Sequence, residues 1–266
     1  MPLPSWGTQK KIAAILSAYD DLIENNRRRI ALLEKMAEEI YREWFVRLRF
    51  PGHEQAKFEK GIPVGWMLEK LPNLAKITYG FPFQADRFNS LGRGKPIIRI
   101  RNIKDASSQD FTDEVVDDKY IVRKGELLVG MDGDFHVNHW QGADAYLVQR
   151  TCRIKARNEL FDGYLAQALQ APIKHYESIL MGATVGHLGA KHLNSIDVLV
   201  PPMEFQPKLN IFNQLLEQKM YLSSLASNLA STRDTLLPRL ISGKLAVDDL
   251  DIRFPPGMAE ASALAS

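Results

Sequence analysis

The first 50 residues carry an apolar repeat that is long for a single globular helix. Between residues 9 and 50, seam positions recur at alternating spacings of three and four, which is a heptad pattern. The seam consists of Leu16, Tyr19, Ile23, Asn26, Ile30, Leu33, Ala37, Ile40 and Trp44. Ile12, Ile15, Leu22 and Met36 are predicted to widen it. Thr8 is the predicted N-cap and Pro51-Gly52 the predicted stop. A rod roughly 60 Å long must lie on another apolar surface.

A second apolar repeat follows Pro201-Pro202. Its seam is Ile211, Leu215, Gln218, Leu222, Leu225, Leu229, Thr232 and Leu236. Pro238 is predicted to kink or end this helix, and Gly243 follows soon after. Two rods of similar length would most simply pair antiparallel, with Asn26 fixing the register. The predicted pairing residues are Ile23, Asn26, Ile30, Leu33, Ile40, Leu215, Leu222, Leu225 and Leu229. The alternative is two separate surface helices of one globule.

The middle of the chain has a different pattern. Residues 96–103 (PIIRIRNI) alternate, with Ile98 and Ile100 on one face of a predicted strand and Arg99 and Arg101 on the other. Further strands are predicted over 127–129, 145–156 and 196–200, and helices over 159–171 and 173–181. The predicted fold class is α+β: one mixed α/β domain flanked by two long helices that pair as an antiparallel coiled coil. The predicted divisions are a helix (1–50), a linker (51–62), the mixed domain (63–201), a second helix (202–248) and a flexible tail (249–266).

Composition excludes several classes of protein. The single cysteine, Cys152, rules out an internal disulfide and fits a reducing compartment. No apolar run approaches the roughly 20 residues of a membrane span, and the N-terminus lacks the order of a signal peptide. We therefore expect a soluble, cytoplasmic protein. The formal net charge of +2 is too small to indicate nucleic-acid binding by itself. The chain also lacks a phosphate-binding GxxxxGK loop, a dinucleotide-binding GxGxxG, a GxSxG elbow and a zinc-binding HExxH.

Residues 125–142, GELLVGMDGDFHVNHWQG, concentrate acids and histidines. Asp132, Asp134, His136 and His139 include the side-chain types that bind metals. However, Asp132-Gly133 is a turn signal, and on a strand the two histidines would face opposite sides. Three interpretations remain open at this point: a metal site, a solvated hairpin tip, or a loop that reads a partner.

A second candidate is a basic cluster without an acid among its members: Arg93, Lys95, Arg99, Arg101 and Lys104. Such residues neutralise phosphates or read guanine edges. The alternative is a solvated strand face. Acids follow at residues 110–118, so we expect basic and acidic surfaces to be separated in space.

Several segments together resemble the DNA specificity subunit of type I restriction–modification enzymes. IPVGW (62–66) resembles the start of its target-recognition domain. GKPIIRIRNI (94–103), VRKGELLVGMDGDF (122–135) and AYLVQRTCRI (145–154) resemble the inner strands of that domain. MGATVGHLGAKHLNSIDVLVPPMEFQ (181–206) resembles its exit. Residues 9–45 resemble the family's conserved helix and STRDTLLPRLISGKL (231–245) its closing segment. The likeness covers nearly the whole chain except the tail.

The resemblance implies a subunit without catalytic residues or cofactors of its own. Its expected partners are double-stranded DNA, methyltransferase subunits that use S-adenosylmethionine to methylate adenine, and a restriction subunit that uses ATP. A full family member has two recognition domains, whereas this chain resembles helix, one domain, helix. It is therefore expected to read one half of a split site, as a half subunit or as part of a longer one. Whether a second copy supplies the other half stays open.

Candidate DNA-binding residues lie on the loops and on the basic strand, because recognition needs donors and acceptors held by a rigid scaffold. They are Gly80, Phe81, Gln84, Arg99, Arg101, Asn102, Lys104, Asp132, Asp134, His136, Asn138, His139, Trp140, Gln149, His187, Lys191 and His192. Trp140 is the candidate whose residue type is more typical of a core. Two competing functions are a metal-dependent DNA enzyme that uses residues 132–139 and a coiled-coil adaptor that binds protein.

Overall fold

The computed structural model describes residues 4–180 and 186–254. Seven α-helices occur in these residues: α1 Trp6–Tyr41, α2 Leu71–Leu74, α3 Ile100–Asp105, α4 Asp162–Ala168, α5 Gln170–Leu180, α6 Ala190–Ser195 and α7 Asn210–Ile241. A π-helical turn, Arg42–Val46, continues α1. Of the described residues, 4–32 with 221–254 form one compact unit, and those between 33 and 220 form another. The two long helices at the ends and the mixed middle confirm the predicted fold class.

The strands are short and all lie in the second unit. They are β1 Phe58–Glu59, β2 Ile62–Pro63, β3 Met67–Lys70, β4 Ala75–Tyr79, β5 Phe88–Asn89, β6 Lys95–Ile98, β7 Phe111–Thr112, β8 Ile121–Val122, β9 Leu127–Gly130, β10 Val137–His139, β11 Ala145–Leu147, β12 Thr151–Ala156 and β13 Asp197–Val200. One sheet has the order β10-β9-β12-β4 and another the order β5-β7-β6-β11-β8. In the second sheet β6 and β11 are parallel. The pairs β1–β2 and β3–β13 stand apart.

Two expectations about these elements are wrong. The alternating segment 96–103 is a strand only as far as Ile98, and α3 begins at Ile100. The segment 145–156 is two strands, because the chain turns at residues 148–150 and Arg150 has a φ of 66°. At the end of the predicted linker, Phe58–Glu59 pairs with Ile62–Pro63 as the hairpin β1–β2. Alternation over a few residues did not distinguish a strand from a strand followed by one short helix.

Helix α1 begins earlier than predicted and ends within the predicted range. The Ser5 hydroxyl accepts a hydrogen bond from the backbone N–H of Thr8 at 3.2 Å, so Ser5, not Thr8, caps the first turn. Helix α7 continues past Pro238 for three residues and ends at Ile241. Gly243 then adopts a φ of 69°, the left-handed conformation that commonly follows a helix end.

In the first unit the long helices pair antiparallel. Ile12 near the start of α1 clusters with Leu240 near the end of α7, and the guanidinium of Arg233 pairs with the carboxylate of Asp20. The predicted seam residues Ile23, Asn26 and Leu222 are buried, and Ile30, Leu225 and Leu229 are half-buried. The predicted widening of the seam is wrong at Leu22, which is 51% exposed.

In the second unit the seam holds at Leu33 and Ile40, which are half-buried, and at Leu215, which is buried. Met36 is 51% exposed, so it does not widen the seam. The seam of α7 also departs from the prediction, because Gln218 is exposed and Lys219 is buried in its place. The Lys219 ammonium lies 2.6 Å from the Glu34 carboxylate on α1.

Aromatic rings fill the core of the second unit next to the π-helical turn. Phe45 packs on Tyr164 with ring centroids 4.6 Å apart and on Trp66 at 5.4 Å. Trp66 in turn packs on Phe50 at 4.7 Å and on Phe205 at 5.3 Å. This cluster joins the chain entering the mixed domain to the chain leaving it, and such buried rings contribute large apolar areas.

Candidate nucleic-acid interface

Three of the candidate loops leave the four-stranded sheet at the same end. Strand β4 ends at Tyr79, strand β9 ends at Gly130, and the antiparallel strand β12 between them begins at Thr151. Thr151 is in register with Gly130, and the N–H of Gly80 donates to the Thr151 carbonyl at 3.0 Å. The loops 80–84, 131–136 and 148–150 therefore converge, and we call this region the loop end.

The loop at Gly80 fits only glycine. A Cβ there would lie 2.0 Å from the Val148 carbonyl oxygen. The close approach lets the Gln149 N–H donate to the Phe81 carbonyl at 2.8 Å, while the Phe81 N–H donates to Leu147 at 2.9 Å. Gln149 is exposed at this end. Gln84 is also exposed, and its backbone N–H donates to Glu114 at 3.1 Å.

Asp132 connects three segments at the loop end. One carboxylate oxygen lies 2.7 Å from the Arg150 guanidinium, and the other contacts Nδ1 of His187. Backbone hydrogen bonds run alongside, from the Met131 N–H to the Arg150 carbonyl at 2.9 Å and from the Leu188 N–H to the Met131 carbonyl at 2.8 Å. Arg150 was not among the candidate residues. Only a non-local contact identifies it, and the sequence carries no signal for that contact.

Asp134 and His136 remain at the surface of the same loop. The Asp134 carboxylate lies 3.8 Å from Nε2 of His136, and the Asp134 side chain is 70% exposed. Glu177 anchors the loop from α5 by accepting from the Phe135 N–H at 2.9 Å. These two side chains are accessible to a partner, as predicted for base-reading groups.

The half-buried Asn138 side chain makes its hydrogen bonds to other parts of the protein. Its amide nitrogen donates to the carbonyls of Ile103 at 3.2 Å and Lys104 at 3.0 Å, in the last turn of α3. Its amide oxygen accepts from the Lys219 ammonium at 3.2 Å. This amide, a candidate for DNA contact, therefore joins α3, β10 and α7.

His139 and Trp140 are buried, so the expectation that they face a partner is wrong. Trp140 is 1% exposed, and its indole N–H donates to the Ala143 carbonyl at 2.7 Å. His139 is 7% exposed. Burial lowers the pKa of His139 to about 3, with a further contribution from the positive charge of Lys219. Trp140 braces the turn from inside.

The basic residues around α3 are partly engaged. Arg99 lies over the Phe88 ring at 5.7 Å, and Asn102 caps the helix by accepting from the Arg99 N–H at 2.9 Å. One nitrogen of Arg101 contacts both carboxylate oxygens of Asp110, at 2.7 and 2.6 Å. Lys104 is exposed.

Opposite charges alternate around this cluster. Arg87 pairs with Asp113 at 2.8 Å in the same way that Arg101 pairs with Asp110. The expected separation of basic and acidic surfaces is therefore wrong here. The basic segment nevertheless starts near the loop end, since the Val148 N–H donates to the Ile98 carbonyl at 3.1 Å.

The glycine-rich segment contributes a fourth loop, of which residues 181–185 lie outside the described residues. His187 and Lys191 are exposed. Nδ1 of His192 accepts from the Gly189 N–H at 3.0 Å. Burial lowers the pKa of His192, and Lys191 and His187 lower it further. The structure thus brings His187 to Asp132 but holds His192 in its own turn.

The side chains of the described residues do not form a metal-binding cluster. Among residues 4–180 and 186–254, no group of three or more His, Cys, Asp or Glu side chains is placed to hold a metal ion. Over the same residues, no helix combines the length and apolar character that crossing a membrane requires.

Comparison with known proteins places this geometry in a family. Residues 63–218 match the type I restriction modification DNA specificity domain. The chain is 28% identical over 192 residues to the type I restriction enzyme EcoBI specificity subunit of Escherichia coli, covering 70% of this chain and 40% of that subunit. It is 24% identical over 275 residues to the MjaIX specificity subunit of Methanocaldococcus jannaschii, covering 94% of this chain and 61% of that subunit.

A solved structure agrees in fold. The S subunit of the type I restriction-modification system from M. genitalium superposes with a TM-score of 0.60 at 18% identity, over 89% of this chain and 61% of that one. The chain thus spans about two fifths to three fifths of the length of these proteins. It has one mixed domain between two long helices, and the family match covers more than half of the chain. The chain belongs to the family of type I restriction–modification DNA specificity subunits.

Proposed function

We propose that this chain binds duplex DNA through the loop end and reads one half of a bipartite site. The observation that carries the proposal is the convergence of loops 80–84, 131–136 and 148–150, together with His187, at one end of a single sheet. A rigid sheet that holds polar loops in a fixed arrangement is what direct readout requires. Asp134, His136 and Gln149 remain accessible there.

We further propose that methyltransferase subunits dock on the long helices, and the exposed face of α1 supports this. Beside its buried seam, α1 exposes the apolar side chains of Leu22, Leu32 and Met36 at 51%, 61% and 51%. At about 100° per residue these three lie in one stripe, so the helix keeps an apolar face for a partner. In this proposal the chain itself is not an enzyme. S-adenosylmethionine and ATP bind to the methyltransferase and restriction subunits of the cytoplasmic complex.

One recognition domain accounts for one half of a split site. The family match covers residues 63–218 once, and the chain spans 61% of the MjaIX subunit. A second recognition domain comes from a second copy of this chain or from a longer protein. Size-exclusion chromatography with light scattering, with and without duplex DNA, distinguishes these two sources.

Duplex binding is the first test. The full chain is titrated into a fluorescent pool of random-sequence duplexes of about 30 bp, at salt concentrations from about 50 to 200 mM. Binding that weakens steeply with salt supports the proposal, because each neutralised phosphate releases counterions. Binding to protein partners without any salt-dependent binding to DNA would favour the adaptor instead.

Co-expression is the second test. The chain is expressed with a candidate methyltransferase subunit, and methylated adenines are mapped across the host genome. A split motif that appears only when both proteins are present supports the proposed role. Metal-dependent cleavage by the purified chain alone would contradict it and favour a DNA enzyme.

A further inference from the structure

Arg150 occupies a backbone conformation that non-glycine residues seldom adopt. Its φ is 66°, in the turn between β11 and β12 at the loop end. Backbone strain of this kind persists where the surroundings fix it, and it concentrates at functional sites. Here the Arg150 carbonyl is fixed by the Met131 N–H at 2.9 Å, and the next residue, Thr151, is paired with Gly130.

The Arg150 side chain is held by an ion pair with Asp132, and most of it is exposed to solvent. Its Nη1 lies 2.7 Å from the Asp132 carboxylate, yet the side chain is 64% exposed. A guanidinium carries five N–H donors in a planar fork that matches two adjacent acceptors. The exposed part of the fork is therefore available for a pair of acceptors on a ligand.

Asp132 is arranged to hold cationic or donor groups rather than to read a base. Its side chain is only 12% exposed, and its two oxygens are divided between Arg150 and His187. A carboxylate only accepts hydrogen bonds, and here both oxygens already have partners. This arrangement contrasts with the expectation that Asp132 itself contacts DNA.

We infer that Arg150 contacts duplex DNA through a pair of acceptors and that Asp132 is the positioning residue that orients it. The inference rests on the proposed DNA-binding function and names the residue that carries it. The acceptors are either O6 and N7 of a guanine or two phosphate oxygens, which the same fork recognises. Neighbouring exposed groups at the loop end, such as Gln149 and Asp134, then face the same stretch of duplex.

The chain provides a matched control. Arg157 is an exposed arginine just past the other end of the same strand, β12, where its Nε donates to the Pro72 carbonyl at 3.1 Å. Arg157→Ala removes the same charge away from the loop end. Arg150→Asn removes the charge at the loop end, and asparagine tolerates the left-handed conformation. Arg150→Lys keeps the charge but not the fork.

The experiment first selects the preferred sequence of the wild-type full chain from a random duplex pool of about 30 bp. Affinities of all variants are then measured on the selected duplex and on the pool. We expect Arg150→Asn and Arg150→Ala to bind the selected duplex about tenfold more weakly, a typical effect of one lost bidentate contact. Arg157→Ala should stay within about twofold on both duplexes, since a charge remote from the contact acts only through screened electrostatics.

Two further measurements separate guanine from phosphate. If the fork reads guanine, Arg150→Lys relaxes selection at one base pair while affinity for the pool is kept. If it binds phosphate, Arg150→Asn weakens selected and pool duplexes alike, and the slope of log affinity against log salt falls by about one.

The positioning role of Asp132 has its own measurement. Asp132→Asn should reduce affinity for the selected duplex, and Asp132→Asn combined with Arg150→Ala should bind no more weakly than Arg150→Ala alone. Additive losses in the double variant would show a merely structural role for Asp132. Equal binding by Arg150→Asn and Arg157→Ala, with wild-type binding intact, would overturn the inference. Absence of salt-dependent wild-type binding would instead overturn the proposed function.

Discussion

Two polar clusters in residues 33–220 each connect three separate segments, but they differ in their exposure to solvent. The loop cluster, Asp132 with Arg150 and His187, joins three loops at the end of the sheet. The seam cluster, Lys219 with Glu34 and Asn138, joins α7, α1 and β10. The Arg150 and His187 side chains are 64% and 57% exposed, whereas the Lys219 side chain is 9% exposed.

The difference in exposure separates a binding role from a structural one. Exposed ion pairs contribute about 0–1 kcal/mol to stability, so the loop cluster is free to serve a ligand. A buried polar network is costly to leave unsatisfied, so within residues 33–220 the seam cluster fixes how the helical segments at Glu34 and Lys219 meet β10. Substitutions in each cluster test this distinction. Those in the seam cluster are expected to have the larger effects on folding.

Lys219→Ala should have the largest effect. It removes the buried stem from the helix seam and the hydrogen bond to Asn138, and we expect a loss of about 2–4 kcal/mol in the free energy of unfolding. Urea denaturation measures it. Lys219→Met keeps most of the packing and leaves Glu34, which is 52% exposed, in contact with water. This control should cost no more than about 1 kcal/mol. Equal losses for the two variants would show that the ammonium, not the stem, matters.

Asn138→Ala should follow, at about 1–3 kcal/mol, because it removes the hydrogen bonds that the Asn138 amide makes with the carbonyls of Ile103 and Lys104 and with the Lys219 ammonium. Hydrogen exchange should show loss of protection in α3 before the rest of the domain. Asn89→Ala is a suitable comparison, since Asn89 ends β5 in the same domain and its amide oxygen likewise binds backbone groups, the N–H of Leu91 and of Arg93. Unchanged protection of α3 in Asn138→Ala would contradict the capping role.

Burial of His139, which follows Asn138 of the seam cluster, makes the free energy of unfolding depend on pH. Its folded pKa of about 3 lies below the ordinary value of 6.5, so between these values the unfolded chain binds a proton that the folded chain does not. Its contribution to stability is therefore complete above pH 6.5 and falls as pH decreases towards 3, by about 1.4 kcal/mol per pH unit. Urea denaturation of wild type and His139→Gln, at neutral pH and at about pH 5, should show a flatter dependence for the variant. Parallel pH profiles would count against this assignment.

Asp132→Asn should have the smallest effect on folding. Both of its partners are more than half exposed, and asparagine keeps one acceptor, so we expect less than about 1 kcal/mol in urea denaturation. A loss as large as that of Lys219→Ala would erase the distinction between the two clusters. The loop cluster would then be part of the core rather than a binding surface.

Sequence reasoning succeeded where the signal is local and repeated. The seams through Ile23 and Leu222 follow from helical periodicity, which persists over many turns. It failed where a short helix interrupts an alternating pattern. The alternation in 96–103 continues past Ile98, but a six-residue helix begins at Ile100. It also misassigned Asn138, whose partners Ile103 and Lys219 lie far away in the sequence. An amide on a three-residue strand gives no indication of which groups it will contact.

The sequence by itself determined the two long helices, the mixed domain between them and the family to which the chain belongs. These depend on periodicity and on the order of segments, which survive without any knowledge of contacts. Only the tertiary structure decided which polar residues are free. It buried His139 and Trp140, committed Asn138 to α3, and brought Arg150 to Asp132 at the loop end. The physical reason is that exposure and hydrogen-bond partners are set by residues distant in the chain, whereas helix formation is set by neighbours.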